Sequence, residues 1–505
     1  CRSGRPDLKL LSCAAEFSMP GPEILTNSQM RAADAAAISA GTPGIDLMSR
    51  AGEAVARAVE ARWPTGTVVV LCGPGANGGD GYVAAERLRA DGRTVRVAGM
   101  ASPSAMKGDS ALAAQAWPGP IERASPGLFA GAAVIVDALF GAGLDRPLEA
   151  GVQTLLRAAA ASGAPILAVD LPSGLNGDTG APMGYAPPCA ATVTFHRKKP
   201  AHVILPGRDL CGDILVADIG LEPPRTANLL ENSPALWSGR MAWPTAAAHK
   251  HARGRVIVVS GDVAATGAAR LAARGALRIG AGVVTILSPP EALIVNGAHL
   301  EAVMLRPFET DMELEAAAAM VDAAVIGPAA GVNESTVSNL FALARTGAGL
   351  VIDADALTVF SEDPEEMFSV LDRDDVLTPH VGEFERLFPG LLKSSPERIT
   401  AARAAAKRAG TVVLLKGSDT VIAAPDGRAV VNTNGSPWLA TAGAGDVLSG
   451  FISGLIAQGM DSFDAACAAV WIHAEAAAAF GPGLISEDLP GLVPPVLARL
   501  YQGRG

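Results

Sequence analysis

Thr67-Val-Val-Val-Leu-Cys-Gly-Pro-Gly-Ala-Asn-Gly-Gly-Asp-Gly81 passes without a break from an apolar run into a turn carrying five glycines. A run of this length, rich in β-branched residues and bounded by glycine, predicts a strand buried on both faces. The glycines free the backbone for a tight turn and for close approach to a ligand. Beyond them, 81–91 has helical spacing. The same alternation continues on either side. Runs at 94–98, 133–136, 165–169, 192–195 and 214–217 predict further strands, and 27–40 and 47–62 predict helices. Strands separated by helices require right-handed crossovers, hence a doubly wound, Rossmann-like α/β sheet that is largely parallel.

After a proline-rich stretch without periodicity the pattern resumes. Strands are expected at 255–260, 283–287, 323–326, 350–352, 376–378 and 411–415, with helices at 267–279, 396–409, 446–458 and 464–479. The two halves share a class but carry different glycine motifs, and no internal repeat relates them. We therefore expect a first domain at 20–222, a linker at 223–245 and a second α/β domain at 246–505. Residues 1–19 hold three basic residues and an apolar patch broken by Glu16, too short for a signal peptide core. They read as a disordered extension, with Met19 as the expected start.

The 505 residues are 49% hydrophobic and 18% charged, enough to bury large cores, with a net charge of −11. Such an acidic chain is not expected to bind nucleic acid or anionic membrane. No window of about 20 residues is uncharged and continuously apolar, so no membrane span is expected. Six cysteines without a C-x-x-C pair read as free thiols in a reducing cytoplasm. Alanine-rich helices with little charge suggest a homo-oligomer.

Within 73–81, Asn77 and Asp80 stand between glycines, where a purely structural turn needs neither. Loops beginning at Asp137 and at Asp170-Leu-Pro-Ser173 follow other strands of the same sheet. In a parallel sheet all strand C-terminal ends share one edge, so Asn77, Asp137, Asp170 and Ser173 are expected to converge there. An all-oxygen set of this kind suits a hard cation. These motifs, with Asn27-Ser-Gln-Met-Arg-Ala-Ala-Asp34, Leu47-Met-Ser-Arg-Ala-Gly52 and Thr194-Phe-His-Arg-Lys-Lys-Pro-Ala-His202, resemble the NAD(P)H-hydrate epimerase domain. The resemblance implies that Ala76, Asn77, Gly78, Gly79 and Asp80 hold a hydrated nicotinamide nucleotide. The loop Gly141, Ala142, Gly143, Leu144, Asp145, Arg146 and Pro147, together with Asp170, would complete that site. Asn77, Asp137 and Ser173 would coordinate potassium. Ala76 departs from the family, which usually has asparagine there. Epimerisation needs the hydroxyl at ring carbon 6 to leave and return on the opposite face, and Asp170 and Lys199 are the candidates for moving the proton.

The second constellation is Thr441-Ala-Gly-Ala-Gly-Asp-Val-Leu-Ser-Gly450, ahead of an apolar helical stripe through Val447, Leu448, Phe451, Ile452, Leu455 and Ile456. Amides at that helix N-terminus would face a phosphoryl group, and Asp446 could accept a hydroxyl proton. The motif resembles the anion hole of ribokinase-like enzymes. With His249-Lys-His-Ala-Arg-Gly-Arg255, Val351-Ile-Asp-Ala-Asp-Ala-Leu357, Leu377-Thr-Pro-His-Val-Gly-Glu-Phe-Glu-Arg386 and Leu415-Lys-Gly-Ser-Asp-Thr420, the half resembles ADP/ATP-dependent NAD(P)H-hydrate dehydratases. That implies substrate contacts from Ala268, Gly331, His380, Val381, Gly382, Glu383, Phe384, Glu385, Arg386 and Asp446. Lys416, Gly417, Ser418, Asp419, Thr420, Thr441, Ala442, Gly443, Ala444 and Gly445 would hold ADP or ATP, with Mg²⁺ bridging the phosphates and Asp446 as base. Ala442 and Ala444 replace a commoner glycine and threonine, and Gly327-Pro-Ala-Ala-Gly331 lacks the usual middle glycine. The expected activity is nicotinamide-nucleotide repair, epimerisation followed by dehydration of the S form. The alternative is a ribokinase-like kinase for a small alcohol with a nucleotide-sensing front half.

Overall fold

The computed structural model describes residues 21–503, so the extension expected at 1–19 lies outside the described residues. Two compact units meet in sequence at Ala227 and Asn228. In the first, seven strands form one sheet: β1 (Thr67–Cys72), β2 (Val95–Gly99), β3 (Ile121–Arg123), β4 (Ala132–Ala138), β5 (Ile166–Val169), β6 (Ala191–Phe195) and β7 (Asp213–Ala217). Their order is β3-β2-β1-β4-β5-β6-β7, and every pairing is parallel.

Strand alternation divides the core into two layers. Val68, Val70 and Cys72 point to one face, where helices Gly44–Arg62 and Ala76–Ala90 supply Val55, Val59, Ala85 and Leu88. Val69 and Leu71 point to the other, against Val152, Leu155 and Leu156 of helix Ala150–Ala161. Chain order reverses between β1 and β4, so their C-terminal ends flank the crevice where an open α/β sheet binds ligands.

The helix after β1 begins at Ala76, not near Gly81 as its spacing suggested. The glycines are its first turn, and they are there for packing. A Cβ on Gly78 would lie 1.9 Å from the Gly73 carbonyl oxygen, and one on Gly81 would lie 2.6 Å from Ala138 Cβ.

The second unit holds ten strands: β8 (Leu229–Glu231), β9 (Arg255–Val259), β10 (Val283–Ser288), β11 (Met304–Pro307), β12 (Ala323–Ile326), β13 (Gly349–Ile352), β14 (Val376–Leu377), β15 (Val412–Leu415), β16 (Thr420–Ala423) and β17 (Ala429–Asn432). Their order is β11-β10-β9-β12-β13-β14-β15-β16-β17-β8. The pairs β15–β16 and β16–β17 are antiparallel. The stretch 223–245 is therefore not a linker throughout. Its residues 229–231 pair in parallel with β17 as the sheet's last strand. Trp237 is buried there, its indole N–H donating to Asn232 Oδ1 at 3.1 Å. Three residues between prolines are too few to show a period, which hid this strand.

Helices Gly267–Ile279 and Ala444–Ala457 cross at backbone contact. A Cβ on Gly450 would sit 2.0 Å from Ala272 O, and one on Gly454 would sit 2.4 Å from a methyl of Ile279. Ser462–Phe480 is the one helix among the described residues long and apolar enough to cross a membrane, and most of it is buried inside the unit. Burial by its own domain accounts for that apolarity.

Gly450→Ala should lower stability by about 1–3 kcal/mol through overpacking. Gly491→Ala, in a helix with open space around the added carbon, should be neutral or stabilising. Thermal denaturation of the two variants checks the contrast.

Candidate active sites

In the first unit the switch-point edge gathers a buried ionic network. Asp170 follows β5 with φ +65°, a left-handed conformation that costs a non-glycine residue energy. It is held from several sides. Lys199 Nζ donates to its Oδ1 at 2.7 Å, Thr194 Oγ1 to the same oxygen at 2.9 Å, and the Ala142 amide to Oδ2 at 2.9 Å. Burial opposes ionisation of Asp170, yet the Lys199 charge and these donors bring its pKa down to about 2. His202 Nδ1 accepts from the Lys199 amide at 2.8 Å, so its Nε2–H is the donor to the Asp170 carbonyl at 2.9 Å. Burial and Lys199 drop His202 to about 3, and it stays neutral.

Lys199 does not face the crevice. Its side chain is 2% exposed, and its three N–H groups go to Asp170, Thr194 Oγ1 and the Phe195 carbonyl. The expectation that Lys199 moves a proton at the substrate is corrected on that ground. An ammonium with every donor committed holds a neighbour in place.

Proton affinity is raised elsewhere. Burial lifts Asp80 well above the usual carboxylate range, reinforced by the charges of Asp170 and Asp34, and burial also raises Asp34. Proton affinity is thus lowered at one carboxylate and raised at two, a division that can separate base from acid.

Asn77, Gly141 and Asp170 converge: a Cβ on Gly141 would lie 2.7 Å from Asn77 Oδ1 and 3.0 Å from Asp170 Oδ2. Asp137 and Ser173 form an adjacent pair. Ser173 donates through Oγ at 2.6 Å and through its amide at 2.9 Å, and Ser173 Oγ accepts from the Phe140 amide at 2.9 Å. Asp137 is fully buried, and desolvation raises its pKa. Asn77 Nδ2 is buried without a hydrogen-bond partner. Asp145, Arg146 and Pro147 lie exposed beyond the turn that the Leu144 amide closes on Gly141 O.

The second unit repeats the arrangement with different residues. Asp353 ends β13. Lys416 Nζ donates to its Oδ1 at 2.7 Å and Ser449 Oγ to its Oδ2 at 2.8 Å. Ser449 lies on helix Ala444–Ala457, in whose first turn Asp446 stands. Ahead of the helix Gly443 takes φ +86°; the Ala444 amide reaches Thr441 O at 3.4 Å, and the amides of Gly445 and Asp446 precede the first full helical bond, from Val447 to Gly443 O. Burial, with the charge of Asp353, raises Asp446 to about 6 against the opposing effect of Lys416. A Cβ on Gly445 would lie 3.5 Å from Lys416 Nζ, so the amide mouth and the cation are neighbours.

Around this centre the expected residues divide. Glu383 Oε2 lies 3.9 Å from Lys416 Nζ and accepts from the His380 amide at 2.8 Å. His380 Nδ1 accepts from the Gly382 and Glu383 amides, capping its helix. The Gly331 amide donates to Asp355 Oδ2 at 2.9 Å. Val381, Gly382 and Arg386 are exposed, and Ala268 is half-buried.

One expectation fails on geometry. Phe384 is fully buried and rests its ring 5.0 Å from that of Phe388, so it packs the core instead of touching substrate. Glu385 is exposed on its helix and accepts from the Gly390 amide at 2.6 Å. Asp419 is buried 3.4 Å from Arg398, and the Thr420 hydroxyl donates to Gly417 O at 2.7 Å, so both shape the loop around Lys416. Where the middle glycine of 327–331 is missing, Ala329 adopts φ +56°, and the backbone keeps its path under strain. Ala442 O accepts from Ser486 Oγ at 2.6 Å.

Sequence reasoning missed Thr194, His202, Asp34, Asp353, Asp355 and Ser449 as parts of these sites. A signal existed for Asp353. It is a carboxylate directly after a buried apolar strand, as Asp170 is.

A model of the family described as NAD(P)H-hydrate dehydratase matches residues 256–483, and one described as YjeF-related protein N-terminus matches 44–201. A bifunctional NAD(P)H-hydrate repair enzyme of Coxiella burnetii is 36% identical over 92% of this chain and 97% of its own. The chain belongs to the bifunctional NAD(P)H-hydrate repair enzymes. The Escherichia coli member is 33% identical over 88% of each chain. The ADP/ATP-dependent NAD(P)H-hydrate dehydratase from Bacillus subtilis, co-crystallised with ATP and Mg²⁺, is 26% identical with a TM-score of 0.44, covering 52% of this chain and 96% of that one. Both ionic centres fall inside the matched regions.

Gly141→Ala should cut epimerase activity at least about tenfold, since the new carbon meets Asn77 and Asp170 in the crevice. Dehydratase activity of the same variant should stay at the wild-type level, and assaying both steps checks it.

Proposed function

We propose that the first unit interconverts the R and S hydrates of NAD(P)H and that the second dehydrates the S form at the expense of ADP or ATP. In the epimerase reading, Asp80, whose proton affinity burial raises, gives a proton to the departing hydroxyl. Ionised Asp170 takes one from the water that returns on the opposite face. Lys199, Thr194 and His202 hold Asp170 in its strained orientation.

Asn77, Asp137 and Ser173 are oxygen donors of the kind that suit potassium. Asp137 is a buried carboxylate whose bonds are all to neutral donors, and the Asn77 amide has a buried, unpartnered end. A monovalent cation there would supply the missing positive charge next to the nucleotide loop.

In the second unit, the observation that carries the reading is Asp446, kept near pKa 6 by burial, at the mouth of a helix whose amides adjoin Lys416. Hydroxide is a poor leaving group. Asp446 takes the proton of the ring hydroxyl while its oxygen attacks the terminal phosphoryl group, whose developing charge meets the helix amides and Lys416. The bond between phosphorus and the nucleotide's bridging oxygen breaks. Phosphate then departs from carbon 6, expelled by the lone pair of the ring nitrogen, and a proton leaves the adjacent ring carbon to restore the dihydronicotinamide. Mg²⁺ bound with the nucleotide would neutralise phosphate charge. Among the described residues no cluster of histidine, cysteine and carboxylate side chains is spaced to hold a metal alone. The four described cysteines are free and buried, which suits a reducing cytoplasm.

A base must be anionic, and the Asp446 carboxyl holds its proton up to about pH 6. The dehydratase kcat/KM should therefore rise with pH through about 6 and level off above it, with free phosphate as the product. Asp446→Asn should abolish that limb and most of the rate. Asp170→Asn should lower epimerisation about 10²–10⁴-fold, read chromatographically from a single starting epimer. Replacing K⁺ by Na⁺ should lower the melting temperature of the wild-type chain but not that of Asp137→Asn.

A further inference from the structure

We propose that Asp353 is a positioning residue for the dehydration step, a single carboxylate that fixes both the phosphate-facing cation and the helix carrying the base. This rests on the reading of the second unit given above. Asp353 is 2% exposed, and both its oxygens are committed to functional elements. Oδ1 holds Lys416 Nζ at 2.7 Å, and Oδ2 holds Ser449 Oγ at 2.8 Å, three residues beyond Asp446 on the same helix. Lys416 and Asp446 come from distant parts of the chain, and among the described residues Asp353 is the one side chain bonded both to that ammonium and to that helix.

The backbone around Asp353 is shaped to aim it. Ala354 takes φ +50°, a left-handed conformation unfavourable for a residue with a Cβ, and its amide donates to Asp353 Oδ1 at 2.9 Å. Gly327, at φ +116°, passes so close that a Cβ on it would lie 1.8 Å from the Asp353 carbonyl oxygen. Neither feature is needed to end a strand. Both are needed to turn this carboxylate between a lysine and a helix.

The charged groups acting on Asp446 are Asp353, Lys416 and Asp355. Two are negative and favour its protonated form, one is positive and favours the anion. Removing the charge of Asp353 while keeping its shape should therefore make Asp446 more acidic. A residue that only stabilised the fold would leave that titration in place.

The test is steady-state dehydration of the S hydrate by the full chain with ADP and with ATP, as a function of pH. Asp353→Asn should lower kcat about 10–100-fold with KM for the hydrate within about twofold, and move the acid limb below pH 6. Ser449→Ala, which removes a hydrogen bond and no charge, should lower kcat severalfold and leave the limb where it was. Folded Asp353→Asn with wild-type kcat, or with an unmoved limb, overturns the proposal. Should Asp353→Asn not fold, wild-type kcat in Ser449→Ala overturns it equally. Failure of the wild-type chain to dehydrate the hydrate with either nucleotide would instead remove the reading on which it rests.

Discussion

A charged side chain taken out of water is costly unless an opposite charge and hydrogen bonds answer it. Each unit of this protein buries one aspartate against one lysine at 2.7 Å, on the C-terminal edge of its parallel strands. Hydrophobic residues of similar volume would serve stability as well or better. The pairs are therefore best understood through the groups around them. In the first unit the pair holds a carboxylate of lowered proton affinity beside two whose affinity burial raises. In the second it holds a cation next to a helix mouth, where burial raises the proton affinity of Asp446.

The two units reach this arrangement by different sequences. In both, a β strand delivers a carboxylate to the edge, and a residue at or next to it takes a left-handed conformation, Asp170 itself in one and Ala354 in the other. Glycines bring a helix N-terminus to the same edge, at 76–81 and at 443–445. The first helix opens on a loop that suits a nucleotide and a monovalent cation. The second opens on amides and a lysine that suit a transferred phosphoryl group. Joining the two in one chain lets the second activity draw on both epimers.

Much of this was legible in the residues. Buried strands such as 67–72 and 323–326 announce themselves because parallel strands are apolar on both faces and need no alternation. The glycine motifs marked both helix mouths, though not that the first helix starts at Ala76 and uses its glycines for packing. Strands β16 and β17 were missed despite a plain hairpin signal, Asp426-Gly427 between two β-branched runs. The edge strands β3, β8 and β11 are three or four residues long, too short for any periodicity to register. Asp137, Asp170 and Ser173 could be singled out because they stand where buried strands of one sheet end, and Asp446 because small residues precede it at a helix start. Lys199 was given the wrong task, since its occupied donors appear only once Thr194 and Phe195 are folded beside it. Phe384 was misassigned because a motif read as a line of text does not show which side chains turn inward.

The central claim is that the substrate's own oxygen departs as part of phosphate, made a leaving group at the Asp446–Lys416 mouth. Hydrate labelled with ¹⁸O in its ring hydroxyl, turned over by the protein with ADP or ATP, tests this directly. The label should appear as one heavy oxygen in the released phosphate, detected by mass spectrometry or by the ³¹P isotope shift. Label released into water, with unlabelled phosphate, would contradict it.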